Sequence, residues 1–406
     1  MGKKQVHCPI CKSDQALRLL DLDCGNLDHS ILYSSLKIEV CKKCGHIYNG
    51  LSPEEIKGLK KYYNKEYAPI NISASYKTGN MPGGAGHVAL ERYNQLFNFI
   101  SPHIKNDFKA LDVGCAMGGF LDYLHEKGLN HLTGIDLIKN FVNHVNQKGK
   151  YRVKLGSAES IPFEDHSFDV LIINQVVEHL VDPRKAFREA KRVLVEGGIL
   201  YLGVPDAFRY GKTCSFDFYW FLMRDHLQHF DTEHLKLLAA MEGFELLDFS
   251  KNENLILSKE LAMPNLNVIF RLSGEKSRLN VTQDCFKLKK EIEKYITNGF
   301  SGLNKKKKII HDWVVSKKPI YIWGIGQEFL YLYESAGLKN CNIIGLIDAN
   351  PYKQKKISVD GKKIMDKSVL KKAPSNSVLI ISAIAYIKQI KSTLLELGYE
   401  GKIISF

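Results

Sequence analysis

Four cysteines near the start of the sequence have the spacing of a metal site. Cys8 and Cys11 form one CxxC pair, and Cys41 and Cys44 form a second pair after a gap of 29 residues. A CxxC turn points two thiolates at one ion, so two such pairs complete a closed tetrahedral site. Because a closed site leaves no open position for a substrate, the pattern predicts a structural zinc ion. The alternative, four unrelated cysteines, leaves two well-formed pairs unexplained.

A second candidate site lies where a predicted strand is followed by Gly114 and Gly118. Glycines here allow a ligand to approach the backbone at the start of the next helix. Asp136 ends the next predicted strand, 18 positions after Gly118. That is near the spacing at which a carboxylate accepts the two ribose hydroxyls of a nucleoside. The pattern predicts a nucleoside-containing cofactor, and the alternative for Asp136 is a turn that merely ends the strand.

Two segments contain histidines that could perform acid–base chemistry. His179 follows the predicted strand at 169–174, at the carboxyl edge where open α/β sheets bind ligands. A later segment contributes Asp225, His226 and His229, and a neighbouring carboxylate raises the basicity of an imidazole. These four residues are the candidate catalytic groups, with His226 placed first. The alternative for each histidine is a structural role.

The elements that must position these residues alternate short apolar strands with helical segments. From about 88 to 250 this alternation predicts a doubly wound, Rossmann-like parallel sheet, and a second such unit begins near 316. The predicted fold is therefore α/β. Its parts are a zinc-binding module that also admits the substrate at 1–75, the central domain at 76–250, a mostly helical connector at 251–315 and a C-terminal Rossmann-like domain at 316–406.

The composition, with 45% hydrophobic and 25% charged residues in 406, excludes a disordered or fibrous protein. No apolar run approaches the roughly 20 residues that cross a bilayer, and no apolar stretch follows the N-terminal lysines as in a signal peptide. We therefore expect a soluble, cytoplasmic protein without a membrane partner. The net charge of +13 lies entirely in residues 251–406, where 27 Lys and Arg outnumber 14 Asp and Glu. Only two of those 27 are arginines, which favours a solvated lysine-rich surface over a nucleic-acid interface.

Four segments of the central domain resemble the class I S-adenosylmethionine-dependent methyltransferases. They are Leu-Asp-Val-Gly-Cys-Ala-Met-Gly at 111–118, Gly-Ile-Asp at 134–136, the stretch at 156–171 that begins Gly-Ser-Ala-Glu, and Glu-His-Leu-Val-Asp-Pro at 178–183. The resemblance implies S-adenosylmethionine as the cofactor. The residues that it places around this cofactor are Asp112, Gly114, Ala116, Gly118, Asp136, Leu137, Ser157, Ala158, Glu159 and Asn174.

Within that set, the resemblance assigns the glycine loop to the methionine part of the cofactor, Asp136 to the ribose, and Ala158 with Glu159 to the adenine edge. Two residues depart from the family pattern. Ala116 replaces a usual glycine, and Ser157 stands where the family often has an aspartate that holds the adenine amino group. The departures imply weaker cofactor affinity.

The order of the parts resembles the three-domain sugar C-methyltransferases, which act on nucleotide-linked keto sugars. The resemblance implies a nucleotide-sugar partner and carbon methylation through an enolate. Those enzymes commonly show Tyr-x-Glu-His, followed by an aromatic residue and Phe. Here the aligned stretch begins with Met223 and Arg224 before Asp225 and His226. Methionine in place of tyrosine keeps methylation of a sugar oxygen open as an alternative.

Three residues, Tyr67, Ser73 and Ser75, precede a glycine-rich loop at 79–86 and His87. This segment resembles the part of the family through which the substrate enters, and a plain hinge is the alternative.

In the last domain, Gly324 and Gly326 begin a G-x-G-x-x-G pattern, but Phe329 replaces its third glycine and crowds the helix against a dinucleotide. Asp348 follows 22 positions after Gly326. We expect this domain to help hold the nucleotide of the substrate, with a purely structural role as the alternative.

An RNA methyltransferase with an N-terminal zinc module is a further alternative. Against it, residues 1–250 carry no net charge, with 30 Lys and Arg and 30 Asp and Glu, whereas a protein that binds RNA neutralises phosphates with basic residues. The sequence is compatible with a monomer or a dimer.

Overall fold

The computed structural model describes residues 7–25, 34–65, 79, 83–105, 107–212, 220–222, 225–255 and 262–406. Five residues of the sequence analysis lie outside the described residues, namely Tyr67, Ser73, Ser75, Met223 and Arg224. Within the described ranges, no helix combines the length and the apolar character needed to cross a membrane.

The chain forms three sheets and the helices that cover them. The strands are, in chain order, β1 (Ala16–Asp23), β2 (Ser35–Cys41), β3 (Ile47–Asn49), β4 (Ala110–Val113), β5 (Leu132–Asp136), β6 (Arg152–Leu155), β7 (Phe168–Asn174), β8 (Leu194–Pro205), β9 (Gln228–His229), β10 (Phe244–Leu255), β11 (Ala262–Leu272), β12 (Ile320–Trp323), β13 (Ile343–Ile347), β14 (Ser358–Val359), β15 (Lys362–Met365), β16 (Val378–Ile381) and β17 (Lys402–Ser405). The helices are α1 (Pro53–Lys65), α2 (His87–Ile100), α3 (Gly119–Glu126), α4 (Lys139–Asn146), α5 (Pro183–Val193), α6 (Thr232–Glu242), α7 (Lys287–Ser316), α8 (Gln327–Ser335), α9 (Pro351–Lys356) and α10 (Ile387–Glu396).

The N-terminal sheet has the order β1-β2-β3-β9, and all of its neighbouring strands are antiparallel. Its first two strands form the hairpin that fills the gap between the two cysteine pairs. Its last strand, β9, comes from the segment that follows the predicted catalytic histidine at 226. The hairpin between the two cysteine pairs and the candidate catalytic segment therefore share one sheet.

The central sheet has the order β10-β11-β8-β7-β4-β5-β6. The five strands from β4 to β8 are parallel, as the alternating pattern predicts, and helices cover both faces. The prediction of a parallel sheet is wrong for the other two strands, because β11 runs antiparallel to both β8 and β10. The sheet is therefore mixed.

The segment 251–315 is also only partly what the sequence predicts. Residues 251–255 and 262–272 are strands of the central sheet, and the long helix begins at Lys287. The asparagines of these strands, at 252, 254, 265 and 267, are unfavourable for strands in general. Residues 264–270 of β11 are all buried, so this strand also lacks the alternation of buried and exposed residues that marks a half-exposed strand.

The C-terminal sheet has the order β14-β15-β13-β12-β16-β17, and its strands are parallel except for the β14–β15 pair. Its three predicted strands, at 320–323, 343–347 and 378–381, are present. One apolar core joins this sheet to the helix α7 and to the N-terminal hairpin, through residues such as Leu36, Tyr295 and Ile322.

Candidate active site

The loop after β4 contains the glycines of the predicted cofactor site. Gly114 and Gly118 have φ angles of +80° and +77°, in the left-handed region that glycine enters without a steric penalty. A Cβ atom on Gly114 would lie 2.6 Å from Cγ2 of Val176, so only glycine lets this loop pack against the segment after β7. Ala116 also has a positive φ, +48°, which costs a residue with a Cβ roughly 1–2 kcal/mol.

Asp136, the last residue of β5, fixes this loop. Its Oδ2 accepts a hydrogen bond from the backbone N–H of Ala116 (2.9 Å), and its Oδ1 accepts one from the backbone N–H of Ile138 (2.8 Å). Since a carboxylate has about four lone-pair positions, each oxygen retains acceptor capacity for a ligand hydroxyl. Burial raises the pKa of Asp136, and the backbone N–H groups lower it in part. The carboxylate is therefore held in one orientation before any ligand binds.

Asp112 lies inside β4 and is buried. Burial raises the pKa of its carboxyl group to about 7, and the charge of Asp136 adds to the rise. The two acidic residues at this edge of the sheet therefore differ in environment, since Asp136 has backbone N–H donors that stabilise its charge.

The predicted adenine side of the site lies in the loops after β5 and β6. The N–H of Gly156 donates to the carbonyl of Asp136 (3.1 Å), which joins the two loops. Ser157 forms a β-bridge with Ser160, and Ala158 beside it is buried. Burial raises the pKa of Glu159, although the charge of a nearby lysine opposes the rise.

Leu137 and Asn174 complete the predicted cofactor residues. Leu137 exposes 49% of its surface directly after Asp136, a placement that suits an apolar contact with a ligand ring. Asn174 ends β7, and its Oδ1 accepts a hydrogen bond from the Tyr201 hydroxyl (3.5 Å). A side chain at Gly203 would collide with Asn174, so this glycine lets the amide lie over the neighbouring strand.

The described end of the glycine-rich loop, residues 83–86, packs on the cofactor loop. Gly119, the first residue of α3, donates its N–H to the carbonyl of Gly83 (3.2 Å). The Tyr93 hydroxyl donates to the carbonyl of Gly84 (3.0 Å). A Cβ atom on Gly119 would lie 2.5 Å from that carbonyl oxygen. The segment before α2 therefore lies directly against the predicted cofactor site.

Glu178, His179 and His226 meet in one buried cluster beyond the end of β7. One ligand atom from each side chain lies within 4.8 Å of the others. The two imidazole rings are edge to face, with centroids 4.9 Å apart. His179 Nε2 is 4.0 Å from Glu178 Oε1. The structure therefore brings two of the predicted catalytic residues together and adds a carboxyl group near them.

Burial dominates the electrostatics of this cluster. Burial, together with the neighbouring His179, lowers the pKa of His226 to about 4. His226 is therefore neutral at pH 7. Burial raises the pKa of Glu178 to about 7, although His179 opposes the rise. Asp225 contributes its backbone carbonyl, which accepts a hydrogen bond from His179 Nδ1 (2.8 Å).

His229 lies apart from this arrangement. It belongs to β9, and its ring nitrogens contact the Tyr210 hydroxyl (3.3 Å) and Asn49 Oδ1 (3.4 Å). The ring is fully buried, which lowers its pKa well below the usual value. Because both nitrogens are engaged in packing the N-terminal sheet, the geometry favours the structural alternative for His229.

Glu178 and Tyr63 are the residues of this site that sequence reasoning missed. Glu178 stands inside the Glu-His-Leu-Val-Asp-Pro segment, so its position after a buried strand was an available signal. The Tyr63 hydroxyl lies 3.3 Å from His179 Nδ1. Tyr63 belongs to α1, which is far from His179 in sequence, and no local pattern connects the two.

The four cysteines form one cluster. Sγ of Cys8 lies 3.6 Å from Sγ of Cys44, and Sγ of Cys11 lies 3.5 Å from Sγ of Cys41. These distances are near the separation of about 3.8 Å that bonds of about 2.3 Å give around a tetrahedral zinc ion. The donor set therefore fits zinc. The His234 ring donates from Nε2 to the carbonyl of Cys44 (3.1 Å), which ties the cluster to α6.

In the C-terminal sheet, Asp348 occupies the place that Asp136 has in the central sheet. Its Oδ2 accepts from the backbone N–H of Ile325 (2.8 Å), in the loop after β12. Here, however, the buried Lys353 ammonium pairs with the same oxygen (3.0 Å) and also donates to the Ile325 carbonyl (2.7 Å). Phe329 is fully buried in the core below.

Comparison with known proteins defines the class of the central domain. Residues 111–202 match the family model described as "Methyltransferase domain", and these residues contain the strands and loops of the predicted cofactor site. The central domain is a class I S-adenosylmethionine-dependent methyltransferase, as the sequence predicts. Residues 316–405 match a second model, described as "C2185-like, N-terminal".

Individual relatives match about a quarter to a third of the chain. An uncharacterized protein of Methanocaldococcus jannaschii is 34% identical over 114 residues, which are 28% of this chain and 52% of that protein. The ubiquinone/menaquinone biosynthesis C-methyltransferase UbiE of Campylobacter jejuni is 27% identical over 32% of this chain and 58% of its own length. The tRNA U34 carboxymethyltransferase of Campylobacter curvus is 32% identical over 26% of this chain and 38% of its own length.

The chain therefore spans at most 58% of the length of these three relatives, and none of their names mentions a nucleotide sugar. Among solved structures, a methyltransferase of Methanosarcina mazei superposes with a TM-score of 0.37 and 20% identity, covering 44% of this chain and 98% of that chain.

Proposed function

We propose that this protein transfers a methyl group from S-adenosylmethionine to a carbon beside the ketone of a nucleotide-linked sugar. The observation that carries the proposal is the cluster of Glu178, His179 and His226. In the chain its first two residues closely follow Val176, which packs against Gly114 of the proposed cofactor loop in a methyltransferase domain. A sulfonium donor supplies an already activated methyl group. The acceptor carbon must still lose a proton, and this cluster offers buried groups that can accept one.

Asp136 and the glycine loop are the proposed holders of the cofactor. The remaining lone pairs of the Asp136 carboxylate suit the two ribose hydroxyls, and the positive φ angles at Gly114 and Gly118 leave the backbone accessible. Leu137, Ser157, Ala158 and Glu159, with Asn174, complete the proposed cofactor contacts.

His226 is the proposed proton acceptor. Its Nδ1 is buried and has no hydrogen-bond partner within the described residues, and its low pKa keeps the ring neutral at pH 7. A neutral imidazole can take a proton from a carbon that a neighbouring ketone makes acidic. His179 supports His226 through the edge-to-face ring contact, and Asp225 orients His179 through its carbonyl.

Two observations support a carbon acceptor on a sugar. The order of the parts resembles the three-domain sugar C-methyltransferases, and one relative of the chain is named as a C-methyltransferase. The four cysteines are proposed to hold one structural zinc ion. The ion pair of Asp348 with Lys353 favours a supporting role for residues 316–406.

Hydrogen–deuterium exchange tests the proposal, because a base that forms an enolate needs no methyl donor to do so. In heavy water, with a panel of nucleoside-diphosphate keto sugars and no S-adenosylmethionine, the wild-type protein should exchange the proton on the accepting carbon. His226→Ala should slow this exchange by about a hundredfold or more, a typical contribution of a general base. His311→Ala, in an exposed position of α7, is the matched control and should exchange at the wild-type rate.

The other outcomes identify the alternatives. Methylation of a sugar without exchange would favour an oxygen acceptor. Methylation of tRNA, the kind of substrate that the name of one relative contains, with no reaction on any sugar would overturn the proposal. Undiminished exchange in His226→Ala would move the base to another residue of the cluster.

A further inference from the structure

His179 directs a lone pair into the buried cluster. Its Nδ1 lies 2.8 Å from the Asp225 carbonyl oxygen, which can only accept a hydrogen bond, so the ring proton is on Nδ1. Nε2 of the neutral ring therefore carries the lone pair, and it is the atom that lies 4.0 Å from Glu178 Oε1. A histidine whose other ring nitrogen donates to a backbone carbonyl is a typical metal ligand.

His226 presents a second lone pair to the same place. Its ring makes a hydrogen bond with the backbone of Phe221. Nδ1 is the nitrogen without a partner, so that bond belongs to Nε2. The proton is accordingly on Nε2 and the lone pair is on Nδ1.

Glu178 completes the set with a carboxyl group that is only 1% exposed. Neither of its oxygens has a hydrogen-bond partner within the part of the chain that the structure describes. A buried polar atom without a partner loses about 1–3 kcal/mol of solvation, and more when it is charged. Two nitrogen lone pairs and a carboxylate thus belong to three side chains whose ligand atoms lie within 4.8 Å of one another, and a cation satisfies all three.

We propose that Glu178, His179 and His226 bind one divalent transition-metal ion. Two imidazoles and one carboxylate, without a thiolate, suit ions such as Zn²⁺, Co²⁺, Fe²⁺ and Mn²⁺, and three protein ligands leave coordination positions open. The ligand atoms lie within 4.8 Å of one another, against about 3.4 Å around an ion with bonds of about 2.1 Å. Binding therefore draws the three side chains together by roughly 1 Å.

The site does not depend on the identity of the substrate, but its effect on catalysis rests on the proposed function. The ion takes the lone pair of His226 Nδ1, which is the same lone pair that accepts the proton from the acceptor carbon. Metal binding and proton removal therefore exclude each other, and the ion inhibits the exchange reaction without affecting the cofactor loop.

Titration with Co²⁺ tests the site in the full-length protein as purified. One equivalent of Co²⁺ should produce visible d–d absorption without the near-ultraviolet charge-transfer band of a thiolate ligand. Glu178→Gln keeps the shape of the side chain and removes its charge, and it should weaken Co²⁺ binding at least tenfold. Glu164→Gln, at an exposed position, is the matched control and should bind Co²⁺ as the wild type does.

Three results would overturn the site. They are no Co²⁺ binding by the wild-type protein, equal binding by Glu178→Gln, and a thiolate band that places the ion at the four cysteines. Unchanged S-adenosylmethionine binding in Glu178→Gln shows that the variant is folded.

Adding saturating Co²⁺ to the exchange assay tests the inhibitory effect separately. Loss of exchange that a chelator reverses supports it, and unchanged or faster exchange overturns it. If Co²⁺ binds as expected while no keto sugar exchanges even without metal, the proposed function fails and the metal site stands.

Discussion

Asp136 and Ala116 depend on each other. Ala116 adopts a left-handed conformation that disfavours any residue with a Cβ atom. The hydrogen bond from its N–H to the Asp136 carboxylate helps to offset that penalty, because charge-assisted bonds are among the stronger ones in proteins. The same carboxylate is the proposed anchor of the cofactor ribose, so loop geometry and cofactor binding are joined in one side chain.

Asp136→Ala should weaken binding of S-adenosylmethionine by tenfold to a hundredfold. The variant loses hydrogen bonds to a charged group, which contribute roughly 1.5–3 kcal/mol, and it also releases the N–H of Ala116. Isothermal titration calorimetry measures the change. Asp348→Ala is the matched control, because it removes the same kind of carboxylate-to-loop bond from the C-terminal sheet and should leave cofactor binding unchanged. Equal affinity of Asp136→Ala and the wild type would show that the cofactor site is misassigned.

At this scale, the geometry of the glycine loop could be predicted from the sequence, whereas the cluster of Glu178 with His179 and His226 could not. Gly114, Gly118 and Asp136 lie at short, regular spacings, because a strand, a turn and a helix follow one another in the chain. Glu178 owes its properties to burial without a partner and to the approach of His226, 48 positions later. Those are tertiary facts that the residue types alone do not reveal.

Among the elements, β10 and β11 differ most from their prediction. Their asparagines pair across the two strands, as in the hydrogen bonds from Asn265 Nδ2 to Asn252 Oδ1 (3.2 Å) and from Asn267 Nδ2 to Ser250 Oγ (3.0 Å). These bonds satisfy the side-chain amide groups of buried asparagines, which backbone pairing between strands does not satisfy. Since the partners are more than ten residues apart, a pattern read over one segment cannot detect them.

The short strand β9 connects the N-terminal sheet with the candidate catalytic segment, and a prediction about zinc belongs to this sheet. Purified protein should contain one zinc ion per chain, and Cys41→Ser should lose the ion and unfold at a lower temperature, because a structural site contributes folding energy directly. Metal analysis and thermal denaturation measure both effects. Binding of S-adenosylmethionine should change little, since the glycine loop belongs to the central sheet.

Cys341→Ser is the control for this prediction. Cys341 is half-buried and lies near the C-terminal sheet, and its variant should retain the zinc ion. Wild-type protein without zinc, or a full zinc content in Cys41→Ser, would exclude the four-cysteine site.

In the whole molecule, the N-terminal hairpin and the C-terminal sheet share one apolar core through α7. Leu36 of β2 is fully buried in that core, and Trp313 of α7 is buried there too. The first and last parts of the sequence are therefore packed together, although the central domain separates them in the chain. We expect them to unfold as one unit.

Leu36→Ala should destabilise this unit by about 2–5 kcal/mol, the usual range for truncating a buried leucine. Denaturant unfolding followed by tryptophan fluorescence detects the change at a distance, because Trp313 and Trp323 lie in α7 and in the C-terminal sheet. Leu17→Ala, at a half-exposed position of β1, should leave the midpoint nearly unchanged. If the midpoint of the unfolding transition measured by tryptophan fluorescence is the same in Leu36→Ala and the wild type, the two ends of the chain fold independently.

The ammonium group of Lys353 has a consequence for what the turn after β12 can bind. The Asp348 carboxylate already has its counter-ion inside the protein, so a ribose would have to displace a buried ion pair to reach it. The turn at 324–326 thus keeps the form of a nucleoside site while the protein itself fills it. With the carboxylate already paired, the helix after this turn has no ligand to make room for, and the Phe329 side chain packs into the core that joins the C-terminal sheet to α7 and the N-terminal hairpin.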